Sequence, residues 1–183
     1  KNKMKSINDL SFYPESRMVT TALNDGVAFG REHSKQISRL SDLADTALRP
    51  FSEVKQALAS SLQSKGALRR YWALKVCSNF GEKAKSLAIA AMPLLNDENL
   101  MVRVRAAEFL GSIKAVDPMP TLYGVVNNAE TEQALLIAFN TIVYLRDQVG
   151  HKYDPEKVKL KFNKGEVYRR VQYLAGTEPN TNY

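Results

Sequence analysis

A ten-residue pattern recurs along the chain at intervals of 33 and 32 residues, and this period constrains the fold more than any other feature. The three copies occupy residues 68–77, 101–110 and 133–142. Each copy places a small residue at the same position, namely Ala73, Ala106 and Ala138. Larger, mostly apolar residues follow three, four and seven positions later, which is the spacing of one helix face. Helix pairs of this length cannot bury their apolar faces alone, so the repeat predicts a stack with a shared core.

A second helical pattern lies between these copies and completes the pairs. Residues 82–95 carry apolar side chains at helical spacing, and residues 51–62 carry the same pattern 33 positions earlier. Residues 32–47 supply the first helix of that earlier pair, and shorter helices are predicted at 155–162 and 165–174. The sequence therefore predicts an all-α fold of about four helix pairs, arranged as a right-handed α-α superhelix.

Residues between the helices carry signals for helix ends. Pro93 lies inside the second run and predicts a kink or an early turn there. Asp97 is the predicted N-cap of the next helix. Asp117 is the predicted cap of the helix after that, with Pro118 at its first helical position.

The two ends of the chain depart from the repeat. Turn signals in residues 1–30 predict a lead-in segment packed along the array, and residues 177–183 are expected to fray. The helical-repeat domain is therefore predicted at residues 31–176. No apolar stretch follows the lysine-rich start, so no signal peptide is visible. The absence of Met at position 1 leads us to expect a processed chain or part of a longer one.

Composition and charge exclude some classes of protein and leave others open. The 183 residues are 44% hydrophobic and 25% charged, and no window approaches the roughly 18 consecutive apolar residues of a membrane span. The net charge of +7 favours anionic partners, although it serves solubility equally well. Cys77 is the only cysteine, which excludes an intramolecular disulfide and a Cys-rich zinc site and leaves the compartment open.

Several stretches resemble HEAT repeats, over roughly residues 34–145. They are the Arg-Tyr-Trp-Ala run at 70–73, the Leu-Leu-Asn-Asp run at 94–97 and the Val-Arg-Val-Arg-Ala-Ala run at 102–107. More narrowly, the chain is similar to the HEAT-repeat region at the C-terminus of some bacterial sulfatases of the arylsulfatase type. In those proteins a lead-in similar to residues 9–15 follows the catalytic domain. The resemblance implies a periplasmic or extracellular location, and a sulfated glycan as a ligand of the parent enzyme.

The chain lacks the chemistry of those sulfatases. They need a Cys or Ser in a C/S-x-P-S-R motif, which matures to formylglycine, together with Asp and Asn ligands for calcium. Cys77 continues as Ser78-Asn79-Phe80, so the motif is absent and sulfatase activity is assigned to no residue here. Cys77 also occupies a core position of the repeat, and His33 and His151 lie far apart. The sequence therefore predicts no catalytic residue, no metal site and no cofactor.

Seven residues are candidates for partner binding, each with a structural alternative. Arg70 and Arg103 are equivalent in the repeat, and either form a ladder with turn residues such as Asp97 or bind an anion or partner on the concave face. Tyr71 and Trp72 either pack between helices or stack on a sugar or a base. The remaining three either contact phosphate or sulfate groups or form the polar face of a terminal cap, namely Lys157, Lys159 and Lys161.

These patterns favour a binding or scaffolding role, for which three hypotheses remain. The first is a non-catalytic accessory region of a sulfatase-like protein, which supports its own catalytic domain or binds another protein. The second is a stand-alone HEAT-type scaffold that holds a peptide or protein on the face built by the second helices. Nucleic-acid binding through the basic face ranks lowest, because Asp and Glu are interspersed through most of the repeats.

Overall fold

The computed structural model describes residues 25–161 and 165–177, and all the regular structure in these residues is helical. The predicted all-α class is therefore confirmed for this part of the chain. None of the helices within it combines the length and the apolarity needed to cross a membrane. The calls on residues 1–24 and 178–183 lie outside the described residues.

The helices are numbered in chain order. The first five are α1 (Gly26–Glu32), α2 (Ser34–Asp45), α3 (Phe51–Leu62), α4 (Ala67–Phe80) and α5 (Ala88–Ala91). The last four are α6 (Leu100–Ser112), α7 (Met119–Asn128), α8 (Glu132–Tyr144) and α9 (Gly165–Leu174). Short 3-10 helices cover Thr46–Leu48, Gly81–Leu87, Met92–Asn96 and Pro155–Lys157, and a π-helical turn covers Leu145–Val149.

The period seen in the sequence reappears as packing of equivalent helices. Helices α4, α6 and α8 carry the three copies of the pattern, and α6 packs against both of the others. The alanines at the repeated position are fully buried in all three, as expected where helix backbones approach closely (Ala73, Ala106 and Ala138). Their neighbours toward the core include Phe109 and Phe139, which are also fully buried.

A second set of helices packs on this row. Helix α3 contacts α4, the helical stretch 81–96 contacts α3 and α6, and α7 contacts α6 and α8. The run predicted as one helix at 82–95 is divided in the structure. Only Ala88–Ala91 is α-helical, between the 3-10 helices Gly81–Leu87 and Met92–Asn96, and Pro93 lies in the first turn of the second of these. The predicted bounds of α3 and α9 match the structure.

The cap predicted at Asp97 is wrong. Helix α6 is capped by Asn99, whose Oδ1 accepts from the backbone N–H groups of Met101 (2.9 Å) and Val102 (3.3 Å). The Asp97 carboxylate is instead engaged by a distant arginine and accepts from the Asn99 N–H at 2.9 Å. Asp117 does accept from the Met119 N–H at 3.1 Å, although the helix begins at Met119, after Pro118.

Two further helix predictions need correction. In the run predicted at 155–162, the described residues 155–161 form only the 3-10 turn Pro155–Lys157, and residues 158–160 are not helical. Residue 162 lies outside the described part of the chain. Its alternation of lysines with Val158 and Leu160 has a period of two, which suits an extended segment and packs those two residues against the core. The first predicted helix, 32–47, is divided at His33 and extends back to Gly26, so the end of the predicted lead-in segment is helical.

Candidate functional site: buried clusters and exposed surfaces of the helical stack

Arg70 and Asp97 form a buried, two-pronged ion pair. Arg70 Nε lies 2.6 Å from Asp97 Oδ2, Arg70 Nη2 lies 2.8 Å from Oδ1, and the two side chains are only 9% and 4% exposed. Arg70 Nη1 also donates to the backbone carbonyls of Ser64 (2.9 Å) and Lys65 (2.8 Å). The hydrogen bond with Asp97 raises the pKa of Arg70 above its ordinary value. Most of the donors of Arg70 are therefore used within the chain.

Arg103 reaches the same turn from the next helix. Its Nε donates to the backbone carbonyl of Asp97. The two arginines at the repeated position therefore bind the same residue, Arg70 at its carboxylate and Arg103 at its backbone. The predicted ladder has each arginine bonding a neighbouring turn. Arg70 does so at Asp97, whereas Arg103 bonds the turn before its own helix, so the two arginines converge on one turn. The geometry gives both arginines a positioning role in the turn that leads into α6.

Tyr71 and Trp72 differ in their access to solvent. Tyr71 is buried, its hydroxyl accepts from Arg105 Nη2 at 3.0 Å, and the Arg105 guanidinium lies 5.0 Å from the centre of its ring. Trp72 is half-buried and meets the Tyr71 ring edge-on, with 5.9 Å between the ring centres. The aromatic pair therefore belongs mainly to the packing between α4 and α6.

Arg105 and Glu108 continue this cluster and were not singled out in the sequence. Arg105 Nη1 donates to the Glu108 carboxylate, which also accepts from Lys75 Nζ at 3.2 Å. Burial lowers the pKa of Arg105, but the charge of Glu108 and the bond to Tyr71 outweigh it and the net shift is upward. The sequence does contain a signal for the Lys75–Glu108 ion pair. The two opposite charges are 33 residues apart, so they occupy equivalent positions on neighbouring helices.

A shallow polar groove lies beside this cluster, across α4, α6 and α8. Its volume is about 330 Å³, and Lys75, Glu108 and Asn140 line it from the same position of the three copies. Tyr144 closes one end and is 40% exposed. The groove is thus a direct product of the repeat.

The helical stretch 81–96 presents an apolar stripe to solvent. Ile89 is 82% exposed and Met92 is 39% exposed, and Pro93 is exposed beside them. These three residues are spaced by three and four positions, so they lie on one side of the helix, opposite the buried Ala84, Leu87, Ala91 and Leu94. An exposed ion pair between Lys85 and Glu82, with N and O 3.3 Å apart, lies four and seven residues before Ile89 in the same helical stretch. We call Ile89, Met92 and Pro93 the Ile89 stripe.

The three C-terminal lysines project from a segment fixed against α7. Asn127 Nδ2 donates to the carbonyl of Lys157 at 3.0 Å, and Asn127 Oδ1 accepts from the N–H of Lys159 at 2.7 Å. Lys157, Lys159 and Lys161 are all exposed. The Lys157 ammonium lies 3.7 Å from the Asp154 carboxylate, so part of this positive charge is already offset.

The residues with catalytic or metal-binding chemistry lie apart. Cys77 is fully buried, as its repeat position predicts, and burial raises the pKa of its thiol to about 12. The His33 ring packs on Phe29 with 4.3 Å between ring centres, and His151 Nε2 lies 2.9 Å from the carbonyl oxygen of Gly111. In the ranges 25–161 and 165–177, no cluster of three His, Cys, Asp or Glu side chains is suited to hold a metal ion.

The fold and these surfaces define the chain as an all-α protein of closely packed helices. No family model, no curated protein and no solved structure matches it.

Proposed function

We propose that this chain is a non-catalytic helical-repeat module that binds a protein partner through the Ile89 stripe. The exposure of Ile89 carries the proposal, because a helix of a folded domain normally turns polar side chains to water. Fully burying such a side chain contributes about 1.5–3 kcal/mol. An apolar centre with a charged pair in the same helical stretch is the composition of a protein interface with a dry core and a polar rim.

In the proposed module, HEAT-like helix pairs stack into a right-handed superhelix. Support comes from the 33- and 32-residue spacing of α4, α6 and α8 and from the buried alanine common to them. The Arg70–Asp97–Arg103 contacts add to this, since they tie the start of one unit to the next. In such a stack the Ile89 stripe lies on the row of second helices, where a partner of a helical repeat is expected.

The partner we propose is the catalytic domain of a sulfatase-like protein, with this chain as its C-terminal accessory region. The similarity of the repeats to that region of arylsulfatase-type proteins supports the choice. A non-catalytic role is supported by the placement of Cys77, which is buried with a thiol that stays protonated at neutral pH. A stand-alone scaffold would use the same stripe to hold a different protein.

Site-specific photo-crosslinking in the native host tests the proposal. A benzophenone amino acid replaces Met92 in the stripe, and a matched variant carries it at Tyr168 of α9, which is 43% exposed against 39% for Met92. We expect an adduct from position 92 and little from position 168, with mass spectrometry of the joined peptide naming the partner. A peptide of a sulfatase-type domain supports the accessory role, and one of another protein supports the scaffold. Equal yields from the two positions would refute docking on the stripe.

A further inference from the structure

A basic groove lies at the other end of the described fold, between α2 and the turn that leads into α4. Its volume is about 440 Å³. Lys35 and Arg39 line it from one side of α2, four residues apart, and Arg69 lines it from the first turn of α4. Three cations from two helices that are distant in sequence therefore face the same space.

These three cations have no ion-pair partner among the described residues. Exposed pairs elsewhere are close, for example Arg49 with Glu53 at 3.0 Å and Arg169 with Glu166 at 3.1 Å. Arg69 makes a single side-chain contact, from Nε to Ser61 Oγ at 3.2 Å, which leaves both of its terminal nitrogens available. Glu32 is the only carboxylate among the described residues that line the groove, so these residues carry an excess of two positive charges, with His33 counted as neutral.

The turn at residues 64–66, which forms one wall of the groove, is fixed by hydrogen bonds within the chain. The buried Arg70 donates to the carbonyls of Ser64 and Lys65, and the Gly66 N–H donates to Ser64 Oγ at 3.2 Å. Since Ser64 Oγ accepts in that bond, its own hydroxyl proton is free to point into the groove. A hydroxyl donor therefore stands beside the cations in a turn whose shape is set before any ligand arrives.

We propose that this basic groove binds a phosphate or sulfate ester. Guanidinium groups match the oxygens of a tetrahedral oxyanion with paired N–H donors, and Arg39 and Arg69 supply two such groups. The groove is much larger than one inorganic ion, so it has room for the rest of the molecule that carries the ester. This site is separate from the Ile89 stripe and does not depend on the function proposed there.

Titration calorimetry of the intact chain at constant ionic strength tests the site. The probes are O-phosphoserine and galactose 6-sulfate, with serine and galactose as comparison compounds that lack the ester group. We expect one or both esters to bind and neither parent compound to do so. The ester that binds more tightly identifies the phosphate or the sulfate as the natural group, and binding of neither ester overturns the proposal.

A pair of variants with equal charge separates a built site from general attraction. Arg39→Gln with Arg69→Gln removes two groove cations, and we expect it to weaken ester binding by about tenfold or more. Arg49→Gln with Arg169→Gln removes two exposed cations that do not line the groove and is expected to leave binding unchanged. Equal weakening in both double variants, or retained binding in the groove variant, overturns the proposal. Matching thermal unfolding midpoints without ligand show that the fold is intact in each.

Discussion

The guanidinium of Arg70 and the carboxylate of Asp97 meet in two hydrogen bonds, 2.6 and 2.8 Å long, although 27 residues separate them in the chain. Removing Asp97 leaves the buried Arg70 guanidinium with two backbone carbonyls and with the exposed Glu98 carboxylate, 3.6 Å away, as its remaining counter-charge. We therefore expect Asp97→Ala to lower the free energy of unfolding by about 3–5 kcal/mol in urea denaturation. The matched change Glu53→Ala breaks the exposed pair with Arg49 and should cost less than about 1 kcal/mol. Similar losses in both variants would show that the Arg70–Asp97 pair contributes no more than a surface contact.

Gly111 of α6 allows close contact with the start of α7. A Cβ atom at this position would lie 2.7 Å from Pro118 Cγ and 3.1 Å from Leu145 Cδ2. Gly111→Ala should therefore lower the free energy of unfolding by about 1–3 kcal/mol through overpacking. Gly124 in α7 has open space around its Cβ position, so Gly124→Ala should raise it by about 0.5–1 kcal/mol through helix propensity. Thermal and urea unfolding of both variants measure the two effects, and the same sign in both would contradict the packing described at Gly111.

Asn99 caps α6 through two backbone N–H groups. Asn99→Ala leaves these donors without the side-chain acceptor, and we expect a loss of about 1 kcal/mol in the free energy of unfolding. Asn96 is exposed three residues earlier and caps no helix, so Asn96→Ala serves as the control and should change stability little. If Asn99→Ala is as neutral as Asn96→Ala, the cap does not stabilise the helix.

The buried thiol of Cys77 makes stability depend on pH in the alkaline range. Burial raises its pKa from 9.0 to about 12, so the unfolded chain releases this proton first. The contribution of the protonated Cys77 thiol to the free energy of unfolding is fully present below about pH 9. It is lost as the pH rises toward 12, by up to about 1.4 kcal/mol per pH unit.

Urea denaturation from neutral pH to about pH 11 should therefore show a steeper alkaline decline for the natural chain than for Cys77→Ala. Burial also raises the pKa of Tyr153 to about 12, but that group is present in both proteins, so the difference between them reports Cys77. Parallel curves would mean that the thiol ionises as readily in the folded chain as in the unfolded one.

The sequence predicted the elements that rest on helical periodicity. The bounds of α3 and α9 and the burial of Cys77, Ala73 and Ala106 follow from apolar spacing that repeats along the chain. Such spacing is a local property, and its repetition at 33 residues identifies which helices are equivalent.

The features that sequence reasoning missed depend on contacts between distant residues. Asp97 looks like a cap by type, but the carboxylate is taken by Arg70, and Asn99 takes its place. The exposure of Ile89 does agree with the helical spacing of the run at 82–95, which places Ala84, Leu87, Ala88, Ala91 and Leu94 on the core face and leaves Ile89 off it. The packing of α3 and α6 against this stretch covers that core face.

The most direct test of docking on the Ile89 stripe is to measure the affinity of this chain for the partner that crosslinks at position 92. Ile89→Lys introduces a charge at a side chain that is 82% exposed, so the fold should be retained, as circular dichroism would verify. We predict that this variant binds the partner about thirtyfold more weakly or worse, as for a central interface residue, while Tyr168→Lys binds normally. Unchanged affinity of a folded Ile89→Lys chain would contradict the proposed mode of binding.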